Sequence, residues 1–571
     1  MIQNNEANNT GRARILLLAC LFFVGSMLIN LAGNCLHSTW DRDESRYAEA
    51  SRAMVAGGDW IVPHFNGGIR YDKPVFIYWM IGGAMKCFGI TEYAVRFPAA
   101  MAGAIVVTLV FFMALSMGGG LGGASAAAAI IMTCPLLAVM FKSGSTDAVL
   151  LLTIVGALAL HWWQTKCGFS WWRHLAFWIV LGVSALVKGP PGVVVIGSAV
   201  ILHRILCWIA KRRHPTECHQ PHSPAAGKTW GRTFVGLATF LVVTLPWVVT
   251  AWRQTNGDFF MVAIRKHAIA HTASALEGHD GPVFYYLPVL CGALFAALPL
   301  VFASIPYGWR QRSQPQWKLL WCWLAPAFII FSFMRTKLPH YICPAIPALA
   351  LMAGLLFGAA CRGGLAARGT VGTICWRFGI AMVILVGGVA CAALAYAPMH
   401  ENISVMILPA AVMATLTALT TFVAAIYWWR YRAVLALAVS SVGLLLNLGV
   451  GIYAMLPAIE PLRPSKNIVE FIKKVAPPET TLAAVQYQEP SLVFYWGGLV
   501  NMIAKRDPNE SFDLFSDPKR PVALVIPERI WVDWLCRRLP VFPSCVDERM
   551  AGNYYLFQSG GWERLIVVGN W

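Results

Sequence analysis

The sequence predicts an α-helical polytopic membrane protein with a small α/β domain at its C-terminal end. Of its 571 residues, 58% are hydrophobic and 13% are charged, whereas a soluble domain is about 45–50% apolar and about 25% charged. Long apolar runs recur up to residue 456, and beyond it charges become denser and such runs end. The composition excludes an ordinary soluble enzyme for the first 456 residues.

A membrane-crossing helix needs about 20 mainly apolar residues, and thirteen segments are candidates. Two of them, 174–188 and 190–207, are short and separated by Lys188-Gly189-Pro190-Pro191, so they could be two half-length or tilted spans. The predicted spans are residues 14–34, 94–117, 121–141, 147–165, 174–188, 190–207, 234–252, 284–305, 318–334, 341–360, 376–397, 403–429 and 434–456. The shorter apolar segment 75–89 predicts an interfacial or re-entrant helix. The first run, Ile15–Leu31, exceeds the apolar core of a signal peptide and is interpreted as a retained span.

Basic residues predict the orientation of the chain. With the N-terminus in the cytoplasm, the loops at 166–173, 208–233, 306–317 and 361–375 are cytoplasmic, and they carry Lys and Arg with almost no acid. This is the positive-inside pattern. It also accounts for the net charge of +18, so the charge indicates no nucleic-acid partner.

The first loop on the opposite, outer face, residues 35–93, is unusually polar. If its residues 43–47 are helical, Asp43, Arg46 and Tyr47 share one face at positions i, i+3 and i+4. A carboxylate there can act as a general base toward an acceptor hydroxyl or phosphate, and an arginine can neutralise a phosphate. The alternative interpretation is a solvated Asp–Arg pair of little energetic value.

Further ionisable residues fall on the same face. Asp147 opens the fourth predicted span, where it could simply cap a helix. The outer bases are Lys188, Arg265, Lys266, His267, His271, Lys337 and His340. Several bases at one membrane face suit an anionic head group such as a lipid phosphate or diphosphate. The alternative for each is a snorkelling side chain that anchors a helix end.

A divalent ion is a further hypothesis, because Asp72 with His267 or His271 would offer the carboxylate and imidazole ligands that zinc accepts. Magnesium is the other candidate ion. The sequence contains no HExxH motif, no Gly-rich phosphate loop and no Cys pair with zinc-finger spacing. No nucleotide cofactor is therefore expected.

Residues 457–571 predict a separate α/β domain. A helix is expected at NIVEFIKKV, residues 467–475. Strands are expected at residues 480–487, 491–498, 521–527 and 553–559. Cys536 and Cys545 lie nine residues apart and could form a disulfide or remain two thiols.

Several motifs together resemble a known family. They are DESRYAE at 43–49, GDWIVPHFNGGIRYDKP at 58–74, Thr-Asp at 146–147, VKGPPG at 187–192 and TKLPHYICPAIPAL at 336–349. This set resembles the bacterial aminoarabinose transferases of lipid A and their relatives in the protein-mannosyltransferase superfamily. The resemblance implies a GT-C membrane glycosyltransferase of about thirteen spans in the bacterial inner membrane, with its site and α/β domain in the periplasm. A monomer is expected, although no residue determines the oligomeric state.

The resemblance also implies roles for single residues. Asp43 would be the principal catalytic carboxylate and Asp147 the second acid. The substrate-binding residues would be Arg46, Tyr47, Lys73, Lys188, His267, Lys337 and Tyr341. Where the family reads Glu-Lys-Pro, this chain has Asp72-Lys73-Pro74, and the shorter acid brings the metal into question.

The implied reaction moves a sugar, 4-amino-4-deoxy-L-arabinose or a related one, from a polyprenyl (undecaprenyl) phosphate to lipid A. The same donor with a protein or another envelope glycan as acceptor is an alternative. A transporter or flippase for a lipid-linked sugar is another, but transporters carry ionisable residues near mid-membrane and often show inverted repeats. Here the charges gather at one face. The identities of the sugar and of the acceptor are open at this point.

Overall fold

The structure, a computed structural model, describes residues 2–41, 43–213, 226–263, 265, 281–363, 369–401, 403–503, 521–536, 547–556 and 561–570. Up to residue 462 the described chain is almost entirely helical. The longer helices of this part are α1 Ile2–Leu31, α2 Asp43–Gly57, α3 Phe76–Phe88, α4 Glu92–Ala114, α5 Gly120–Met132, α6 Pro135–Phe141, α7 Thr146–Lys166, α8 Trp171–Lys188, α9 Pro190–Arg213, α10 Ala226–Gln254, α11 Asp258–Ala263, α12 Tyr286–Ala293, α13 Leu298–Arg310, α14 Pro315–Phe333, α15 Ile346–Gly363, α16 Gly369–His400, α17 Ile407–Trp429 and α18 Ala433–Val450.

Ten helical stretches of the described residues are long and apolar enough to cross a membrane. An eleventh is added when the pair Val283–Ala293 and Phe295–Arg310, bent by 73°, is counted as one span. The protein is therefore a multi-pass helical membrane protein. The short apolar helix predicted at 75–89 is confirmed as α3.

The number of spans differs from the predicted thirteen at identifiable places. The predicted span 94–117 and the first part of the predicted span 121–141 lie in one largely helical stretch, Glu92–Met132, which is broken where Gly118 and Gly120 adopt φ of 93° and 66°. The rest of the second predicted span forms the separate short helix α6. Helix α8 replaces the predicted span 174–188, and Arg173 and His174 near its start and Lys188 at its end leave only a short apolar stretch between them.

Small residues allow some helices to pack with their backbones in contact. A Cβ atom added at Gly123 of α5 would lie 2.5 Å from the carbonyl oxygen of Gly354 on α15. Such close approach is typical of membrane helices, where dispersion contacts replace the hydrophobic effect between helices. Helix α15 is accordingly buried along most of its length.

The connection between α1 and α4 positions the candidate site. It contains α2, the hairpin of β1 (His64–Phe65) and β2 (Gly68–Ile69), and α3. The hairpin turn is Asn66-Gly67, whose φ angles of 49° and 79° suit the left-handed conformation that tight hairpins require. Helix α2 packs against α3, and α3 packs against α4.

The C-terminal part is a small domain with a mixed β-sheet. Its helices are α19 Pro464–Val475, α20 Pro490–Trp496 and α21 Glu528–Cys536, and its strands are β3 Thr481–Val485, β4 Val500–Ile503, β5 Val522–Pro527, β6 Asp547–Leu556 and β7 Gly561–Gly569. The strand order is β4-β3-β5-β7-β6. Strand β3 is parallel to β4 and β5, whereas β7 is antiparallel to β5 and β6.

The predicted helix and the predicted strands at 480–487 and 521–527 are confirmed as α19, β3 and β5, and the strand at 553–559 overlaps the end of β6. The strand predicted at 491–498 is wrong, because Pro490–Trp496 is a helix. Pro490 suits its first turn, and Gly497 ends it with φ of 77° and an N–H bond to Val493. Cys545 lies outside the described residues, so the disulfide stays a prediction.

Hydrogen bonds join the mixed-sheet domain to the α1–α2 connection. The hydroxyl of Tyr495 accepts a bond of 2.8 Å from the amide of Thr39 and donates one of 3.0 Å to Glu92. Arg463 donates to the carbonyl of Ser38 at 2.8 Å. Asn66 exchanges two bonds of 2.8 Å with the backbone of Val500 on edge strand β4. The domain thus borders the segment that leads into α2.

The buried His37 in this region should make the protein less stable in acid. Its side chain is buried, and burial, the Arg96 charge and, more weakly, Arg463 lower the pKa of His37 to about 4, although Ser38 and Glu44 act in the opposite direction. The unfolded chain takes up this proton near pH 6.5, so stability should fall as the pH drops from about 6.5 to 4. We expect a lower Tm in detergent at pH 5 than at pH 7, and a smaller drop in His37→Gln. A half-exposed control, His64→Gln, should keep the wild-type drop, and equal drops in all three proteins would contradict the prediction.

Candidate functional site

The N-terminal turn of α2 places the first predicted site residues as the sequence suggested. Asp43 is the first helical residue and is exposed, Arg46 is half-buried and Tyr47 is buried. The ring of Tyr47 lies 5.6 Å from that of Tyr78, and the Arg70 guanidinium is 5.4 Å from its centroid. Burial and the nearby Asp43 carboxylate raise the pKa of Tyr47, so its hydroxyl stays protonated and can donate a hydrogen bond.

A second group joins the start of α7 to the ends of two other helical segments. Lys188, the last residue of α8, lies with its Nζ 2.5 Å from Asp147 Oδ1. Nε2 of His340 lies 3.9 Å from Asp147 Oδ2. The Lys188 ammonium is 5.3 Å from the ring centroid of Tyr341. Asp147 is therefore an ion-paired carboxylate, with the Lys188 ammonium on one oxygen and the His340 imidazole near the other.

Lys73 connects the two groups. Burial and the neighbouring Lys188 ammonium lower the pKa of Lys73 to about 8, while Asp72, Asp43 and Asp147 act in the opposite direction. Lys73 therefore lies within electrostatic reach of both predicted catalytic carboxylates. A bound anion would favour the charged form of both lysines, so the two ammonium groups together suit an anionic ligand.

Asp72 forms a salt bridge with Arg70, whereas the metal hypothesis expected it to bind a divalent ion. Its Oδ2 lies 3.0 Å from the Arg70 guanidinium, and Arg70 also donates to the Tyr78 hydroxyl at 3.0 Å. The Arg70 guanidinium would compete with a metal ion for the Asp72 carboxylate. Among the described residues, no three His, Cys, Asp or Glu side chains are placed to hold a metal ion. His267 lies outside the described residues, as do Lys266 and His271.

Lys337 has contacts of another kind. Its Nζ donates bonds of 2.7 Å to the carbonyls of Ser332 and Met334 at the end of α14, and it lies 5.8 Å from the Tyr286 ring. These bonds satisfy carbonyls that a helix end leaves without an intrahelical partner. The described geometry thus gives Lys337 a capping role beside its predicted part in substrate binding.

Sequence reasoning assigned no role to four residues that hold the site together. They are Glu44, Arg70, Tyr78 and Arg96. Arg96 offered a signal, because an arginine inside an apolar segment needs a buried partner. The sequence contained no such signal for Glu44 beyond its position next to Asp43, because its partner Arg96 is 52 residues away.

Fold and site together define a polytopic membrane protein with two carboxylates and two lysines gathered beside its first loop. The family model of dolichyl-phosphate-mannose-protein mannosyltransferases matches residues 72–217. The undecaprenyl phosphate-alpha-4-amino-4-deoxy-L-arabinose arabinosyl transferase 1 of Sodalis glossinidius is 30% identical over 340 residues, 59% of this chain and 57% of that protein. The corresponding transferase of Edwardsiella ictaluri is 30% identical over 375 residues, 64% of either chain. The aligned part is thus less than two thirds of each relative.

The fold is that of a solved structure, ArnT from Cupriavidus metallidurans. Its complex with undecaprenyl phosphate superimposes with a TM-score of 0.73 at 20% identity, over 97% of this chain and 98% of that chain. The apo state gives the same TM-score at 21% identity. These matches confirm the resemblance indicated by the motifs, to the aminoarabinose transferases and to the mannosyltransferase family.

Proposed function

We propose that this protein is a glycosyltransferase that moves a sugar from a polyprenyl phosphate to an acceptor at the face of the membrane that holds Asp43. The observation that carries the proposal is the gathering of Asp43, Lys73, Asp147 and Lys188 at one place in an ArnT-like fold. A lipid phosphate leaving group fits two neighbouring ammonium groups. The donor brings its own leaving group, so the reaction needs no nucleotide.

In the proposed reaction, the bond between the anomeric carbon and the phosphate oxygen breaks as the acceptor oxygen attacks. Asp43 orients the acceptor and takes its proton where it carries one. Lys73, Lys188 and Arg46 stabilise the charge that develops on the departing phosphate. Asp147 holds Lys188 in place at 2.5 Å. Direct attack by the acceptor inverts the anomeric configuration.

The finer assignments rest on the named relatives and the charge pattern. We propose undecaprenyl phosphate as the lipid carrier, 4-amino-4-deoxy-L-arabinose or a related sugar as cargo, and lipid A as acceptor. The proposed location is the bacterial inner membrane, with a cytoplasmic N-terminus, the membrane-spanning part within residues 1–456 and a periplasmic domain of residues 457–571. We propose that it acts as a monomer.

The metal hypothesis is not carried into this reaction. The Arg70 salt bridge already satisfies Asp72, and we derive no step through an ion. A site formed by Asp72 and His267 stays a prediction from the sequence.

The test is mass spectrometry of lipid A from cells with and without this protein. We expect a sugar-sized mass loss in the null strain, restored by the wild-type chain and not by Asp43→Asn. Unchanged lipid A would overturn the acceptor assignment. Proteins and other envelope glycans would then be searched for the missing sugar, and loss of lipid-linked sugar transport without any missing glycan would contradict a transferase.

A further inference from the structure

We propose that Glu44 and Arg96 form a positioning pair that holds the two catalytic carboxylates, Asp43 and Asp147, at a fixed separation. The inference rests on the proposed function for the roles of Asp43 and Asp147. Neither Glu44 nor Arg96 faces the substrate, because both side chains are almost completely buried, with 1% and 0% exposed. Their effect on the reaction is therefore indirect.

The Glu44 carboxylate accepts four hydrogen bonds. Oε1 accepts from the Gly144 amide at 2.8 Å and from Arg96 Nε at 2.9 Å. Oε2 accepts from the Trp40 amide at 2.7 Å and from Arg96 Nη2 at 3.0 Å. Burial opposes ionisation, but the Arg96 charge and these donors hold the pKa of Glu44 below its ordinary value. The carboxylate is thus ionised and fully bonded at neutral pH.

The two backbone amides explain why this matters for the site. Trp40 lies three residues before Asp43, at the entry to α2, and Gly144 lies three residues before Asp147, in the turn before α7. The Glu44 carboxylate thus accepts hydrogen bonds from both of the segments that precede Asp43 and Asp147. Arg96 adds helix α4 to this arrangement, because it also donates to carbonyls of the α1–α2 connection, those of Asn34, His37 and Ser38, at 2.7, 3.1 and 2.9 Å.

The turn at Gly144 is also held sterically. A Cβ atom added there would collide with Cγ1 of Val95 and lie 3.0 Å from the Val95 carbonyl oxygen. Val95 is the neighbour of Arg96 on α4. The turn that leads to Asp147 is therefore pressed against the same part of α4 that carries the guanidinium.

The chain offers a matched pair for comparison. Glu49, on the same helix, is also buried and makes a two-bond pair with Arg52 at 2.7 and 2.8 Å. Both members of that pair lie on α2, and their mutual bonds tie α2 to no other segment. Neutralising Glu49 removes the same kind of charge from the same helix without releasing the two catalytic segments.

The experiment compares Glu44→Gln with Glu49→Gln in the full-length protein. In Glu44→Gln we expect kcat to fall by about 10²-fold, the effect of a misplacement near 1 Å, while KM for the lipid-linked donor stays within about threefold. Glu49→Gln should keep both constants. A general folding defect would instead lower the amount of active enzyme in both variants. Unchanged kcat in Glu44→Gln would overturn the proposal.

Two further measurements guard against misfolding and against failure of the proposed function. Gly144→Ala keeps both charged groups but displaces the turn, so it should lower kcat. Val95→Ala should restore part of the loss, because it removes Cγ1 but leaves the Val95 carbonyl oxygen in place. Hydrogen exchange needs no substrate: the amides of Trp40 and Gly144 should exchange about tenfold faster in Glu44→Gln than in Glu49→Gln, as expected when a charge-assisted bond is lost. Equal exchange in the two variants would refute the positioning role, whatever reaction the protein catalyses.

Discussion

The Asp43→Asn protein is expected to insert into the membrane in normal amounts and to lose sugar transfer by about 10²–10⁴-fold, the usual contribution of a positioned general base. Asp43 begins α2 and is exposed, so an amide of the same size fits without strain. The amide cannot take a proton from the acceptor. It also removes one of the negative charges near Lys73 and Lys188. The measurement is the initial rate of transfer from a synthetic polyprenyl phosphate sugar by purified protein in detergent.

The matched control for this variant is Asp59→Asn. Asp59 lies in the same loop, and its Oδ1 accepts from the amides of Ile61 and Val62 at 2.9 and 3.3 Å. An asparagine oxygen can accept the same bonds, so this control should retain wild-type transfer. Full activity in Asp43→Asn, with correct insertion, would refute the proposed mechanism.

The second large effect is expected at the Asp147–Lys188 pair. Replacing Asp147 by Asn should weaken transfer strongly, because Lys188 loses the carboxylate that holds it at 2.5 Å. Leaving a largely buried ammonium unpaired should also cost stability, about 3–5 kcal/mol. The decisive variant is the exchange Asp147→Lys with Lys188→Asp, which keeps an ion pair at the same place but reverses the position of each charge.

We expect the exchanged protein to recover most of the Tm lost in Asp147→Asn and to remain inactive. The reason is that an ion pair stabilises in either direction, whereas a donor phosphate needs the ammonium where Lys188 places it. Transfer rates and thermal unfolding in detergent, measured on the same preparations, separate the two effects. Recovery of activity together with stability would show that the pair is structural.

Some properties of this protein were determined by its sequence alone. Apolar runs of membrane-spanning length require helices, because a bilayer offers no partners for unpaired backbone groups. The spacing of Asp43, Arg46 and Tyr47 placed them at the start of one helix, which the structure confirms as α2. These features are local, so they can be read from neighbouring residues.

The strand predicted at 491–498 failed for a physical reason. A short apolar run can be a buried strand or a buried helix, and its pattern does not distinguish them. Here Leu492, Val493 and Phe494 are all buried, and the surrounding α2 and α19 favour a helix with Pro490 at its start. The thirteen-span count depended likewise on where helices break, and two glycines with positive φ lie at such a break.

The tertiary structure alone decided how the site is held together. Glu44 and Arg96 are 52 residues apart, and only folding brings their charges into contact with the backbone amides before Asp43 and Asp147. The same holds for Asp147 and Lys188, which come from the ends of different helices, 41 residues apart. A sequence shows which residue types are present and which share one helix face. Side-chain contacts between distant segments depend on packing, because each is set by the mutual position of whole helices rather than by its local sequence.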